Sequence, residues 1–279
     1  MSTMAFGIYS SEGNKAITNN DSLIIEIGYS HFACLVKGSD KMIAAFELYT
    51  FNKEEMLDFK NLFSEVLSKS ELLNKTYADT KLYINNEFAL PVPSSKFDKE
   101  ITHDYLNVVF GEDESSIQQF DEVSVEPGLM NAFRFPQEWL NVVHQYIKPV
   151  SIQHSYTPII RSLITTASDV SVIEVQFYPA YIIAVVMKEG TLQLIQTFMY
   201  QSAEDILYYL LSISQQLNIN TPDLTIYASG MIDLQSALHS QLVKYFKNIV
   251  VQDVDKSQSG IDISKYPPHY FTPFFNLAL

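Results

Sequence analysis

Two glutamates stand out among the groups that could do chemistry, because each sits near the end of a similar apolar run. Glu26 lies in Leu23-Ile24-Ile25-Glu26-Ile27-Gly28-Tyr29, and Glu174 in Ser171-Val172-Ile173-Glu174-Val175-Gln176-Phe177. On a β-strand alternate side chains share a face, so Glu26 goes with Ile24 and Glu174 with Val172. The two acids are then equivalent by symmetry and could face one cleft. Otherwise each merely ends its strand, in solvent or accepting a local hydrogen bond. His31 follows the first turn closely, where it could donate to a bound anion or simply serve as a surface or hairpin histidine.

The remaining reactive types carry weaker signals. Cys34 is the only cysteine, which excludes an internal disulfide. Its apolar setting, Phe32-Ala33-Cys34-Leu35-Val36, favours a small buried thiol over a nucleophile. None of the 6 histidines stands at a zinc-protease spacing, and one cysteine cannot build a zinc cluster, so no metal site is expected. No Gly-x-Ser-x-Gly elbow, Walker A loop or dinucleotide glycine pattern occurs.

Composition narrows the classes further. The chain has 279 residues, 47% of them hydrophobic and 18% charged, enough for one large domain or two modest ones. A net charge of −14 without a basic stripe argues against nucleic acid or an anionic membrane surface as the main partner. The longest apolar run, near Tyr181 to Met187, is too short to span a bilayer, so no membrane insertion is expected. The first residues show no signal-peptide pattern, and a cytoplasmic location is the default expectation.

The elements that must position the glutamates occur twice. After each acid comes a second apolar run, Phe32 to Val36 and Tyr181 to Val186. Turn signals follow, Lys37-Gly38-Ser39-Asp40 and Lys188-Glu189-Gly190, and then a third strand, Met42 to Phe51 and Leu192 to Tyr200. Each meander leads to a helix whose start resembles a capping box, Asn52-Lys53-Glu54-Glu55 and Ser202-Ala203-Glu204-Asp205. Apolar residues then recur at helical spacing, as in Met56, Phe59, Phe63, Val66 and Leu67, and these faces should pack on a sheet. A fourth strand follows in each copy, Lys81 to Ile84 and Leu224 to Tyr227. The second copy adds a predicted helix over Ile232 to Phe246 and a strand over Asn248 to Val251.

The first copy also carries an insertion, around 86–135. Within it the spacing predicts a helix over Ile101 to Val109, a solvated acidic loop over Gly111 to Ser116, and a strand near Met130 to Phe135. A helix should start at Pro136 and run to about Ile147, followed by a strand over Ser151 to His154 and a helix over Pro158 to Thr166. The expected division is a first lobe over 1–156 and a second over 157–279. The second ends in an aromatic tail, Tyr266 to Leu279, which either folds back on its own body or meets a partner.

The order β-β-β-α-β-α-β, run twice with an acid in each first strand, resembles the actin-like ATPase superfamily, in which two ribonuclease H-like lobes stand in tandem. A closer resemblance is to a bacterial family of uncharacterised proteins with an actin-like fold. Its marks here are Leu23 to Gly28, Phe88-Ala89-Leu90-Pro91-Val92-Pro93, Asn131-Ala132-Phe133-Arg134-Phe135-Pro136 and His269-Tyr270-Phe271. The resemblance implies an α/β fold of two such lobes and a nucleotide cleft between them. It also implies a first turn holding phosphates in Glu26, Gly28, Tyr29 and Ser30, a second in Glu174 and Gln176, and an adenosine loop around Gly230.

Such turns need glycine for close backbone approach and carboxylates for magnesium-bound water. Here Glu26 replaces the family's aspartate, Gln176 replaces a glycine, and Gly230 lacks a glycine neighbour. The expected function is therefore a non-enzymatic interaction or scaffold protein with an unknown protein partner and no cofactor. The alternative is an ATPase or small-molecule kinase using ATP with magnesium, through Glu26 and Glu174. Nuclease chemistry is disfavoured, since only one first-strand acid can be placed in each lobe.

Overall fold

The computed structural model describes residues 2–9, 17–124, 128–165 and 171–279. The end of the helix expected over 158–166 lies outside the described residues. Two compact units emerge. One comprises Met1–Pro158 with Asp255–Ile263 and Leu277–Leu279, the other Ile159–Val254 with Ser264–Asn276.

In the first unit the elements run β1 (Thr3–Tyr9), β2 (Ser22–Gly28), β3 (His31–Lys37), β4 (Ile43–Thr50), α1 (Phe59–Lys69), β5 (Asp79–Asn85) and β6 (Ala89–Pro93). They continue as α2 (Thr102–Phe110), β7 (Ser116–Ser124), β8 (Leu129–Pro136), α3 (Gln137–Tyr146), β9 (Ser151–His154) and the start of α4 (Tyr156–Thr165). The main sheet has the order β1-β4-β3-β2-β5-β9. Strands β2 and β3 are buried almost throughout, as expected of near-continuous apolar runs covered on both faces. Helix α1 buries Phe59, Leu62, Phe63 and Val66. Phe63 meets Phe32 edge-on at 5.7 Å, and Phe59 stacks on Trp139 of α3 at 5.4 Å. Each such side chain contributes about 1.5–3 kcal/mol on burial.

The second unit holds β10 (Val172–Phe177), β11 (Tyr181–Lys188), β12 (Thr191–Met199), α5 (Ala203–Gln216), β13 (Thr225–Gly230), α6 (Ala237–Tyr245), β14 (Asn248–Val251) and the short α7 (Thr272–Phe275). Its sheet order, β12-β11-β10-β13-β14, matches β4-β3-β2-β5-β9 strand for strand. In both units the glutamate-bearing strand is antiparallel to the next strand and parallel to the fourth. This is the α/β fold of two ribonuclease H-like units. The anticipated acids are used, the first at the start of the 3-10 turn Lys53–Asp58 that leads into α1, the second at the start of α5. The Asn52 amide donates to Glu55 Oε1 (3.2 Å), and the Ser202 amide donates to Asp205 Oδ2 (2.9 Å).

Several expectations change. β1 adds a sixth strand along β4 that the sequence pattern did not announce. The insertion is a three-stranded sheet, β6-β8-β7, so the acidic loop is short and Ser116 already begins β7. The helix expected over Ile232 to Phe246 starts only at Ala237, where the Ser236 hydroxyl accepts from the His239 amide. Residues 232–236 instead complete a turn after Gly230. The aromatic tail splits: Ser264–Asn276 packs in the second unit and Leu277–Leu279 in the first.

Candidate functional site

The pairing of β2 with β5 fixes what surrounds Glu26. In that parallel register Glu26 lies opposite Tyr83 and Gly28 opposite Asn85. The Ser155 amide extends the same edge by donating to Ile84 O (2.9 Å), which brings the Ser155 hydroxyl in as well. Glu26 Oε1 accepts from Asn85 Nδ2 (2.9 Å) and Ser155 Oγ (2.6 Å), and Oε2 lies 2.8 Å from His31 Nε2. All four residues are fully buried. The group that His31 meets is thus the protein's own Glu26 carboxyl, and the histidine starts the second strand of the β2–β3 hairpin, buried rather than at the surface.

The rest of the first turn is mixed. Tyr29 is half-buried, with Lys53 Nζ 4.8 Å from its ring centre and Trp139 edge-on at 6.4 Å. Burial, and then the Glu87 carboxylate beside it, push the Tyr29 phenol above its ordinary value. Ser30 Oγ and Asn85 Oδ1 are buried without a hydrogen-bond partner.

The second unit repeats the frame with other side chains. Glu174 lies opposite Tyr227, Gln176 opposite Ser229, and Phe177 opposite Gly230. Gln176 Nε2 donates to Glu174 Oε1 (2.9 Å), and the Tyr178 hydroxyl reaches Gln176 Oε1 at 3.4 Å. Burial pushes the Glu174 carboxyl above the usual carboxylate range, and the Gln176 amide partly offsets this. Gln176, Phe177 and Tyr178 are each only 1% exposed. Tyr178 stacks on Tyr181 at 4.8 Å and receives Phe274 of the tail edge-on at 5.8 Å. Two further bonds seat the tail, from His269 Nε2 to Ile232 O (2.9 Å) and from Thr272 Oγ1 to Gln252 O (2.8 Å).

Gly230 has a backbone reason to be glycine. Its φ is +84°, and a Cβ there would fall 2.2 Å from Phe177 O. The same carbonyl accepts from the Met231 amide (2.8 Å), so the turn closes tightly on β10. Ser229 Oγ beside it is buried and unpartnered. Of the sequence-derived site residues, Glu26, Gly28, Tyr29 and Ser30 therefore share one strand end in the first unit. Glu174, Gln176 and Gly230 share the equivalent end in the second.

Two residues of the Asn131-to-Pro136 mark, Asn131 and Arg134, join polar groups where the insertion meets the first sheet. Asp121 Oδ2 accepts from the His154 amide (2.8 Å) and from Thr157 Oγ1 (2.7 Å), and Asn131 Nδ2 donates to Thr157 Oγ1 (3.2 Å). His154 Nδ1 accepts from the Tyr156 amide (3.1 Å), which leaves Nε2 to donate to Asn86 O (3.1 Å). Burial pushes the His154 imidazole down to about 3, with the Asn86 bond opposing, so the ring is neutral. Arg134 donates from Nη1 to Gly111 O (2.7 Å) and from Nη2 to Phe110 O (3.1 Å), closing the end of α2. Another buried acid, Glu47, accepts from Tyr9, Tyr49, Ser70 and the Glu71 amide. Its register partner Cys34 is buried, and desolvation together with Glu47 holds the thiol well above its ordinary value. The thiol is structural. Among the described residues no cluster of three or more His, Cys, Asp or Glu is placed to hold a metal ion. No helix among them is long and apolar enough to cross a membrane.

Solved structures place this architecture in a class. A Bacteroides thetaiotaomicron protein described as having an actin-like ATPase fold and unknown function is 15% identical, with a TM-score of 0.74 over 92% of this chain and 96% of that one. A PilM–PilN type IV pilus biogenesis complex matches at 11% identity and a TM-score of 0.60, over 94% and 98%. The ethanolamine utilization protein EutJ from Carboxydothermus hydrogenoformans matches at 9% and 0.50, over 95% and 91%. The chain has the actin-like ATPase fold. It belongs to the DUF3822 family, described as a protein of unknown function, whose profile matches residues 10–249. No curated protein matches the chain significantly in sequence.

Proposed function

We propose that the protein is a non-enzymatic interaction module on an actin-like scaffold. One observation carries this reading: both strand-end glutamates are engaged by protein groups. Glu26 is bound through Oε1 by Asn85 and Ser155 and through Oε2 by His31, and Glu174 is bound by Gln176. A magnesium nucleotide in such turns would need carboxylate oxygens open to metal-bound water, and backbone amides that phosphate can approach. With the first acid enclosed and Gln176 buried in the second turn, the residues present do not fit that group. The likeness to PilM, which occurs in a complex with PilN, supports assembly with a protein partner as the activity. Calorimetric titration of the purified protein with ATP and magnesium should show no saturable heat. Binding in the micromolar range would sink the reading.

One observation favours a second reading, an ATP-binding protein with turnover. Ser30 Oγ, Asn85 Oδ1 and Ser229 Oγ are buried at the two strand ends without partners, as groups awaiting a ligand would be. That reading requires phosphate release that Glu26→Gln abolishes.

A further inference from the structure

Helix α2 in the insertion is apolar on two sides. Its inner side, Thr102 and Leu106, is buried. Its outer side carries Ile101, Tyr105, Val108 and Val109, a spacing that aligns them on one helical face. Val108 is 86% exposed and Val109 53%. β-Branched residues in solvent lend little to a helix turn, so helix propensity does not account for Val108 and Val109. The stripe continues through Phe97, which stacks on Tyr105 at 5.8 Å, to Phe120 at 5.2 Å, itself 43% exposed. The row is held in place: the Tyr105 hydroxyl donates to Lys96 O (2.7 Å) and accepts from the Asp98 amide (3.0 Å).

The rim is acidic. In sequence Asp98, Glu100 and Asp104 flank the start of the stripe, and Glu112, Asp113 and Glu114 follow its end. Asp104 pairs with His103 (2.9 Å) and Glu100 lies 3.9 Å from Lys99, so Glu112 and Glu114 carry most of the unanswered charge. These last three acids lie in sequence just beyond the C-terminus of α2, where Arg134, donating to Gly111 O (2.7 Å) and Phe110 O (3.1 Å), is the basic group that answers the helix end. Hydrogen bonds from the Ser115 and Ser116 hydroxyls hold the Asp113 carboxyl below its ordinary value, so it stays charged.

From this complementarity we infer that the outer face of α2 docks a basic amphipathic helix of a partner protein. Its apolar side covers Ile101, Tyr105 and Val108, and its lysines or arginines meet the acidic rim. A nine-residue helix presents about two turns, which a partner helix of similar length would cover. The inference rests on reading the protein as an interaction module, yet the two fail separately: nucleotide titration tests that reading, and peptide binding tests this face.

The probe is a synthetic, fluorescently labelled helical peptide of leucine and lysine, followed by anisotropy with the full chain. The expected result is saturable one-to-one binding, weakened about tenfold or more by Val108→Glu and by Glu112→Lys. Leu57→Glu, at an equally exposed apolar residue outside the stripe, should leave binding unchanged. Thermal melts check that each variant is folded. Absence of saturable binding would overturn the inference, as would equal weakening by Leu57→Glu. So would a dimer of the free protein that Val108→Glu dissolves in sedimentation, since the face would then belong to a second copy.

Discussion

The two strand ends share a backbone and differ in how each satisfies its acid. At the first, Glu26 draws its donors from residues 59 and 129 positions away, on or just after other strands of the sheet. At the second, Glu174 is answered by Gln176, two positions along its own strand. The first arrangement ties β2, β3, β5 and the segment after β9 to one carboxylate. The second ties β10 only to itself and leaves the neighbouring Ser229 hydroxyl without a partner. Duplicated folds can thus keep an acid at one position while changing what it does. In the first unit the acid knits strands together. In the second it is a buried group held by one amide and lidded by aromatics.

Removing the first acid, and then the second acid's partner, would break or sharpen this contrast. Glu26→Ala should be the most damaging, since it withdraws a shared acceptor from buried donors. The expected loss is about 3–5 kcal/mol. Trp139 is the single tryptophan and packs in the same unit, so its fluorescence during urea unfolding reports the change directly. Wild-type stability in that measurement would remove the knitting role. Gln176→Ala withdraws one donor from one buried acid and should cost less, about 1–3 kcal/mol, read by circular dichroism in the same titration.

The smallest effect is one of pH. The folded carboxyl of Glu174 is raised, so the stability it lends is present at low pH and is lost as pH climbs from the ordinary carboxylate value through the raised one. Glu174→Gln has no such titration. The melting temperature of the variant relative to wild type should rise as pH climbs from about 4, the ordinary carboxylate value, upward. A difference constant across that range would mean that Glu174 does not titrate as a raised acid.

Much of the frame could be read directly. The meanders, the acid-capped helix starts and the repeated glutamate all depend on residues close in sequence, where periodicity speaks plainly. The missing strands broke those rules for physical reasons. β6 carries Pro91 and Pro93, which lack amide donors and are tolerated only because β6 is an edge. β7 reads Ser-Ile-Gln-Gln-Phe-Asp-Glu-Val-Ser, largely polar because much of it is only half-buried. The expected full-length helix after Gly230 failed because Ile232 and Leu234 fit a helical pattern equally well in a turn. At the site, Glu26 was visible but its partners were not. Asn85 becomes relevant only once β2 and β5 are in register, and Ser155 only after the whole insertion has been crossed. Gly230 showed a need for glycine without showing that the need is an approach to Phe177 rather than to a ligand.

The first unit takes two of its segments, Asp255–Ile263 and Leu277–Leu279, from beyond the second. Ser259 bridges to Ile43, the Gly260 amide donates to Ile43 O (2.9 Å), and Lys37 Nζ donates to Ala278 O. During synthesis the first unit therefore emerges from the ribosome before the segments that finish it exist. Its β4 side stays incompletely covered until Asp255–Ile263 follows the Ile159–Val254 part of the second unit. The chain matures in the reverse of its reading order, and cutting it between the units would leave the earlier half short of its own parts.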